Sequence, residues 1–445
     1  MSTAEPTAPR ADGVRGTLLA AVLLALAGAY FAWEGHGQSL RMYQFAAYGA
    51  GALLASPLLL ALVFGARWLR LFRRLGLVAL GLGLGVGLAE LGVRLNGSSD
   101  FVEIQLEDDE RLGYRVVAHT GGTDAWGFRN AERPERVDVF CMGDSQTWGT
   151  NITREQAWPA ALARRTERSV YNTGTGGWGV LQYLQLLDEA LELEARLLVV
   201  CLYFGNDLAD AHRFASLEPF ARFRDAELDY PDEVTGFLEP KRSPNQLVGL
   251  VDGLLANSRV LWKVTNTIKE RLRTTPALAD HYWRDPDSVE YTEGAIHTWF
   301  TPGKRRGVLE LSIPGIADGL RISGEAYAEL AQRCADAQLP LAVVLLPTKE
   351  YAYWRLLDER SHELAEALGG AGRAEQRARE AVRALLDPLE LRVIDPLPEM
   401  LQALRDDRPL WPAYSDGHID AAGSELVAAV VQRDLADWLS ALGTD

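Results

Sequence analysis

The residue best placed to do chemistry is a serine in a short turn. Ser145 follows Gly143 and Asp144, and this turn comes directly after the apolar, β-favouring run 139–141. The end of a strand is where open α/β sheets carry their reactive groups. Because average residue usage gives Gly-Asp-Ser by chance in roughly one chain of this length in ten, the tripeptide needs partners elsewhere before it indicates a site.

Two later turns supply groups that a reactive serine would need. Gly177 closes a glycine-rich stretch after the predicted strand 169–172, and Asn206 follows the predicted strand 196–203. Attack of a serine hydroxyl on an acyl carbonyl creates an oxyanion, which backbone N–H groups or a side-chain amide can stabilise. The N–H groups of Ser145 and Gly177 and the Asn206 amide are therefore candidate oxyanion donors.

A serine hydroxyl also needs a base, commonly a histidine that a carboxylate orients. Among the seven histidines, His418 stands out because it lies in a turn just before a predicted helix, with Asp416 two residues away. His418 is the candidate general base and Asp416 the candidate orienting acid. Taken alone, these two residues could equally belong to a solvated loop.

These groups can meet only if the strands before them share one sheet. Strands and helices alternate along most of the chain, which predicts the α/β class: a three-layer α/β/α, flavodoxin-like sandwich with a five-stranded parallel sheet. In such a sheet the C-terminal strand ends lie on one edge. The predicted strands are 139–141, 169–172, 196–203, 341–346 and 391–394, and the predicted helices include 181–193, 247–272, 324–337, 349–368, 374–386 and 421–442.

The ordered motifs resemble the SGNH hydrolases, also called the GDSL-like lipase and esterase superfamily, in their bacterial membrane-anchored branch. The resemblance implies Ser145 as the nucleophile, with His418 as base and Asp416 as its acid. It also implies that Gly177 and Asn206 donate to the oxyanion. The similar blocks are 143–149, 172–177, 205–207 and 416–419.

Some positions depart from the family pattern or lack a role. The acid and base are spaced Asp-x-His rather than Asp-x-x-His, a spacing also found in relatives such as the alginate-type O-acetyltransferases, and Gln146 stands where an apolar residue is common. The segments 127–130 and 347–350 are similar to this branch without a role that the sequence assigns. For Lys349 and Glu350, a structural salt bridge is the simplest interpretation.

The first 95 residues predict a membrane anchor of about three transmembrane helices, at 16–33, 42–66 and 75–89. The third is short and needs the residues up to 93 to complete it. Arginines precede the first span and fill the second connection, which places the N-terminus in the cytoplasm and the body outside. If the first span were a cleaved signal peptide, the body would still lie outside; only loss of the third span would reverse this.

Charge and composition limit the partners. The formal net charge is −16, yet residues 1–95 carry +4 and the remainder carries −20. An acidic body argues against nucleic acid as a partner, because phosphate binding needs clustered cations. The three cysteines lie in apolar stretches and are expected to be buried thiols, and the sequence holds no metal-binding or phosphate-loop motif. We expect no metal and no other cofactor.

Together these features predict a membrane anchor at 1–95, an irregular lead-in at 96–136 and an SGNH hydrolase-like domain at 137–445 with an insertion at about 212–321. The expected protein is a serine esterase of the bacterial inner membrane, whose extracytoplasmic domain removes O-acyl, expected to be acetyl, groups from a cell-envelope glycan or related ester. The alternatives are an O-acyltransferase acting with a membrane acyl-donor partner, a lipase or lysophospholipase, and a non-enzymatic scaffold.

Overall fold

The computed structural model describes residues 66–96, 104–231, 260–261, 264–265, 267–268, 287–360 and 362–442. The predicted spans 16–33 and 42–66, and most of the predicted helix 247–272, lie outside these residues. The chain divides into two compact units, Met1–Asn96 and Gly97–Asp445.

The described part of the first unit is one long apolar helix, α1 (Ala66–Asn96). Its segment Arg73–Gly92 is long and apolar enough to cross a membrane, since 20 residues of α-helix rise about 30 Å. Leucines along it are largely exposed, including Leu82 at 67% and Leu88 at 69%. The predicted third span is thus helical, and its apolar stretch is longer than 75–89.

The second unit combines one parallel sheet with two hairpins and many helices. Its strands are β1 (Leu106–Asp109), β2 (Gly113–Val116), β3 (Val139–Met142), β4 (Val170–Asn172), β5 (Leu197–Tyr203), β6 (Val289–Glu293), β7 (Ile296–Phe300), β8 (Leu341–Leu346) and β9 (Arg392–Ile394). Its helices are α2 (Ser145–Trp148), α3 (Trp158–Thr166), α4 (Val180–Glu192), α5 (Asp207–Phe214), α6 (Pro302–Gly307), α7 (Pro314–Asp336), α8 (Lys349–Glu359), α9 (Leu364–Leu386), α10 (Leu397–Arg405), α11 (Ala421–Asp434) and α12 (Ala436–Ala441).

The sheet has the order β4-β3-β5-β8-β9, and all four neighbouring pairs are parallel. This is the flavodoxin-like order, in which the second strand along the chain lies at one edge and the first lies beside it. The five-stranded parallel sheet and the α/β class are confirmed. The ends of β3, β4 and β5 therefore meet at one edge, which is where the three candidate turns follow.

Alternate residues of the central strands face two separate apolar cores, because successive side chains of a strand point to opposite faces. In β3, Phe140 packs with α4, α5 and α7, whereas Val139 and Cys141 pack with α3, α8, α10 and α11. β5 and β8 alternate in the same way and are buried throughout. Helices on both faces make the three-layer sandwich that the sequence predicts.

Several boundaries differ from the prediction. The lead-in is not irregular throughout, since β1 and β2 form an antiparallel hairpin. α7 begins at Pro314 rather than at residue 324, with the proline in its first turn, where its missing N–H has no partner to lose. The C-terminal helix 421–442 is divided at Leu435 into α11 and α12.

The largest helix error concerns a run of glycines. The sequence favours a break between 368 and 374, but the break lies between Glu359 and Leu364, and α9 runs straight through the glycines. A Cβ atom at Gly372 would lie 2.1 Å from Trp354 Cδ2. This glycine therefore lets α9 approach the indole of α8, and it does not end a helix.

Candidate active site

Ser145 lies where a strand turns sharply into a helix. β3 leads into α2 through Gly143 and Asp144, and the Asp144 carboxylate accepts a hydrogen bond from the Gln146 backbone N–H at 2.9 Å as the N-cap of α2. A Cβ atom at Gly143 would lie 2.0 Å from Thr147 Oγ1. Glycine is therefore required here for the close approach of strand and helix.

The structure brings the serine together with the predicted base and acid. His418 Nε2 lies 2.7 Å from Ser145 Oγ, and His418 Nδ1 lies 2.5 Å from Asp416 Oδ1. The same carboxylate oxygen accepts the His418 backbone N–H at 2.8 Å, and Asn151 Nδ2 donates to the other oxygen at 2.6 Å. Asp416 and His418 thus form part of a hydrogen-bonded chain that ends on the serine hydroxyl.

Electrostatics favour the ionised form of Asp416. Burial alone would raise the pKa of this carboxyl, but the hydrogen bonds and charge of His418, together with Asn151, hold the pKa well below its usual range. An ionised Asp416 can orient the imidazole and stabilise its protonated form. Nε2, which faces Ser145, is then the nitrogen that can accept a proton.

The second candidate turn lies against the serine. A Cβ atom at Gly176 would be 3.7 Å from Ser145 Cβ, and Gly177 has a φ of +79°, in the region that favours glycine. Tyr114 Oη donates a short hydrogen bond to Gly176 O, and Arg213 Nη2 donates to Gly177 O at 3.4 Å. Within the described part of the chain, the Gly177 N–H has no hydrogen-bond acceptor, so it is available to a ligand.

The Asn206 amide is anchored by a neighbouring acid. Asn206 Nδ2 donates to Asp210 Oδ2 at 2.7 Å, and Asp210 pairs with Arg213 at 2.9 Å. An amide nitrogen carries two hydrogens, and the second makes a long contact of 3.4 Å with Asp207 Oδ1, which an oxyanion could replace as acceptor. Burial raises the pKa of Asp210 to about 6, and burial also raises the pKa of Asp144 and Asp207. Burial therefore disfavours the ionised forms of these three carboxyls.

Gln146 connects the serine turn to the loop that carries the histidine. It is buried, with Nε2 donating to Gly417 O at 3.1 Å and Oε1 accepting the Ile419 N–H at 3.0 Å. The two backbone groups flank His418. The sequence marked Gln146 only as a departure from an apolar position and gave it no role.

Lys349 holds the same loop from the side of α8. Its buried Nζ donates to Tyr414 O at 2.8 Å, Asp416 O at 2.9 Å and Thr298 Oγ1 at 3.1 Å. Burial lowers the pKa of Lys349 to about 8. A structural salt bridge is therefore not the main contact of this lysine, which donates to the loop backbone.

Glu350 forms an ion pair with an arginine of α6. Arg305 Nε lies 3.3 Å from Glu350 Oε2, and both side chains are largely buried. Arg305 Nη1 also donates to Gly205 O at 3.1 Å, next to Asn206. The sequence held no signal for Arg305, because its partners are about 45 and 100 residues away.

The lead-in residues that lacked a role support two of the candidate turns. Arg129 donates to the carbonyls of Trp148 and Ile152, and also to Gly149 O, at and beyond the C-terminus of α2. Asn130 exchanges hydrogen bonds of 3.0 Å with the backbone N–H and C=O of Asn172. A cation at a helix C-terminus is favourable, so Arg129 stabilises the helix that begins with Ser145.

All five predicted site residues therefore lie at one edge of the sheet or on the loop that faces it. Ser145, His418 and Asp416 are in direct contact, and Gly177 and Asn206 flank the serine on neighbouring strand ends. Asn151, Gln146 and Lys349 complete the surroundings. Within the described ranges, no group of three or more His, Cys, Asp or Glu side chains has the arrangement of a metal site.

Comparisons with known proteins give structural neighbours only. No family model matches the chain, and no curated protein matches it. One similar structure is a protein from Desulfitobacterium hafniense assigned to the G-D-S-L lipolytic family, with 12% identity and a TM-score of 0.32 over 67% of this chain and 100% of that chain. Another is LAE5, an alpha/beta hydrolase enzyme from the metagenome of Lake Arreo in Spain, with 12% identity and a TM-score of 0.31 over 69% and 97%.

Proposed function

We propose that this protein is a serine esterase of the SGNH type, in the membrane-anchored branch of that superfamily. The observation that carries the proposal is the continuous hydrogen-bonded chain from Asp416 through His418 to Ser145 Oγ. A buried carboxylate, an imidazole and a hydroxyl in this order are the parts that nucleophilic acyl transfer needs.

Acyl transfer to the serine is the first step. Ser145 Oγ attacks the acyl carbonyl while His418 Nε2 takes the hydroxyl proton. The oxyanion accepts hydrogen bonds from the N–H groups of Ser145 and Gly177 and from the Asn206 amide. When the tetrahedral intermediate collapses, His418 returns the proton to the leaving alkoxide, so an alcohol departs and an acyl-Ser145 ester remains.

Water then resolves the acyl-enzyme. His418 Nε2 removes a proton from the water, whose oxygen attacks the Ser145 ester, and the proton returns to Ser145 Oγ as the carboxylic acid leaves. Asp416 stays ionised throughout and stabilises the imidazolium. No metal or other cofactor takes part.

The proposed substrate is an O-acetylated glycan of the bacterial cell envelope. Residues near the serine that reach solvent are small or polar and include Thr150, Asn151 and Gly176, which favours a short acyl group over a long hydrocarbon chain. α1 is long and apolar enough to cross a membrane, which supports an anchor in the inner membrane, and the arginine distribution of the sequence supports an extracytoplasmic esterase domain.

The test is ester profiling of envelope fractions from the producing bacterium. A strain with Ser145→Ala should accumulate O-acetyl groups on an envelope glycan relative to the wild type, and purified wild-type protein should release acetate from that glycan. A loss of O-acetyl groups in the Ser145→Ala strain would instead indicate transfer from a donor partner. An altered lysophospholipid content with unchanged glycan would indicate lipase activity.

A further inference from the structure

One buried side chain links the serine turn to the backbone of the histidine loop. Gln146 follows Ser145 in α2, and its amide reaches a segment 271 residues later. Both ends of this amide are used, since Nε2 donates to Gly417 O and Oε1 accepts from Ile419 N. The side chain is 1% exposed, so water does not compete for these bonds.

The Gln146 amide binds the backbone on both sides of His418. An amide that donates to the residue before His418 and accepts from the residue after it fixes the peptide planes on both sides of the imidazole. The backbone of Gln146 is itself fixed by Asp144, whose carboxylate accepts its N–H at 2.9 Å. The turn that carries the nucleophile Ser145 therefore also holds the backbone on both sides of the base His418.

Other residues hold parts of the loop without touching the serine turn in this way. Tyr203 Oη donates to Gly417 O at 3.3 Å, and Lys349 donates to the Asp416 carbonyl at 2.9 Å. These contacts fix the loop against the body of the domain. Gln146 differs from both because it belongs to the serine turn itself and follows Ser145 directly.

We infer that Gln146 is a positioning residue that holds His418 in register with Ser145, and that an apolar residue at this position would leave the base misplaced. The inference rests on the proposed esterase function. Loss of this positioning should lower the rate of the chemical step with little change in substrate binding. Misplacement of a reacting group by about 1 Å can lower the rate roughly 100-fold.

The test compares three variants of the full chain in detergent, with p-nitrophenyl acetate as substrate. Gln146→Leu keeps the side-chain size and removes both hydrogen bonds, so kcat should fall roughly 10- to 100-fold with KM within about 2-fold. Gln432→Leu is the control, because Gln432 also makes two hydrogen bonds, both to Arg165, between α11 and α3. Gln432→Leu should keep wild-type kcat.

Gln146→Glu provides a pH readout when kcat is taken per folded protein at each pH, because a buried glutamate also destabilises the fold as it ionises. The carboxyl can still accept from Ile419, but it can donate to Gly417 O only when protonated. The ratio of its kcat to that of the wild type should therefore rise as pH falls, whereas the ratio for Gln146→Leu should stay flat. The proton between His418 Nδ1 and Asp416, followed by NMR, should broaden or shift in Gln146→Leu.

The outcomes separate the inference from the function on which it rests. If Gln146→Leu is folded and has wild-type kcat while Ser145→Ala is inactive, the positioning role is wrong and the esterase stands. If Ser145→Ala keeps wild-type activity, the esterase itself is wrong. Equal loss of activity and of folded protein in both Gln146 variants, with no dependence of their ratio on pH, would show a structural role only.

Discussion

Lys349 offers a prediction whose size follows from the structure. Its ammonium group is fully buried, and burial lowers its pKa from 10.5 to about 8. In the unfolded chain the pKa is near 10.4. The protonated lysine therefore makes the folded state less stable, and this cost is present in full below pH 8 and disappears by about pH 10.5.

The magnitude follows from linkage. A shift of about 2.5 pH units corresponds to about 3 kcal/mol at 1.36 kcal/mol per unit. Relative to Lys349→Met, which has no proton to release, the wild type should gain this amount of stability between pH 8 and 10.5. Lys349→Met should also be less stable at pH 7.5, because two buried carbonyls lose their donor at about 1–3 kcal/mol each.

The assay is urea unfolding of the full chain in detergent, followed by tryptophan fluorescence at several pH values. The difference in unfolding free energy between wild type and Lys349→Met should widen by about 3 kcal/mol from pH 8 to 10.5. Lys304→Met is the control, since Lys304 is exposed and should give a constant difference. A constant difference for Lys349→Met as well, within about 0.5 kcal/mol, would refute the buried-charge reasoning.

Three further predictions concern the groups around the serine and are checked by urea unfolding and esterase kinetics. Arg129→Ala should destabilise the domain by about 2–4 kcal/mol, because three carbonyls lose a charged donor; unchanged stability would contradict its role. Asp416→Asn should lower kcat roughly 10³-fold or more at unchanged fold, and near-normal kcat would remove Asp416 from the mechanism. Asn151→Ala should lower kcat by roughly 3- to 10-fold, since the Asp416 carboxylate loses a donor that fixes its position; an unchanged kcat would contradict this.

The fold and the approximate place of the site could be predicted because both follow from short-range patterns. Apolar strand runs and the turns after them are visible in the sequence, and parallel pairing brings the ends of β3, β4 and β5 to one edge. Gly177 and Asn206 were expected there for that reason. His418 and Asp416 required the resemblance in addition, because alone they could equally belong to a solvated loop.

The supporting residues could not be predicted because their partners are distant in sequence or are backbone atoms. Gln146 binds backbone groups 271 and 273 residues away, and Arg129 caps α2 from the lead-in. Neither contact leaves a spacing or a periodicity in the chain. The prediction of a helix break at the glycines of α9 was wrong for a similar reason. Gly372 is needed for the close approach of Trp354, which belongs to another helix and is not marked by the sequence around the glycine.

The central claim is that Ser145 is a nucleophile activated by His418. Its most direct test is labelling of the full-length protein with a fluorophosphonate probe, with peptide mass spectrometry to locate the adduct. The account predicts one adduct on Ser145, none in Ser145→Ala, and labelling slowed by roughly 10³-fold in His418→Ala. An unlabelled wild type, or equal labelling of wild type and Ser145→Ala, would contradict it.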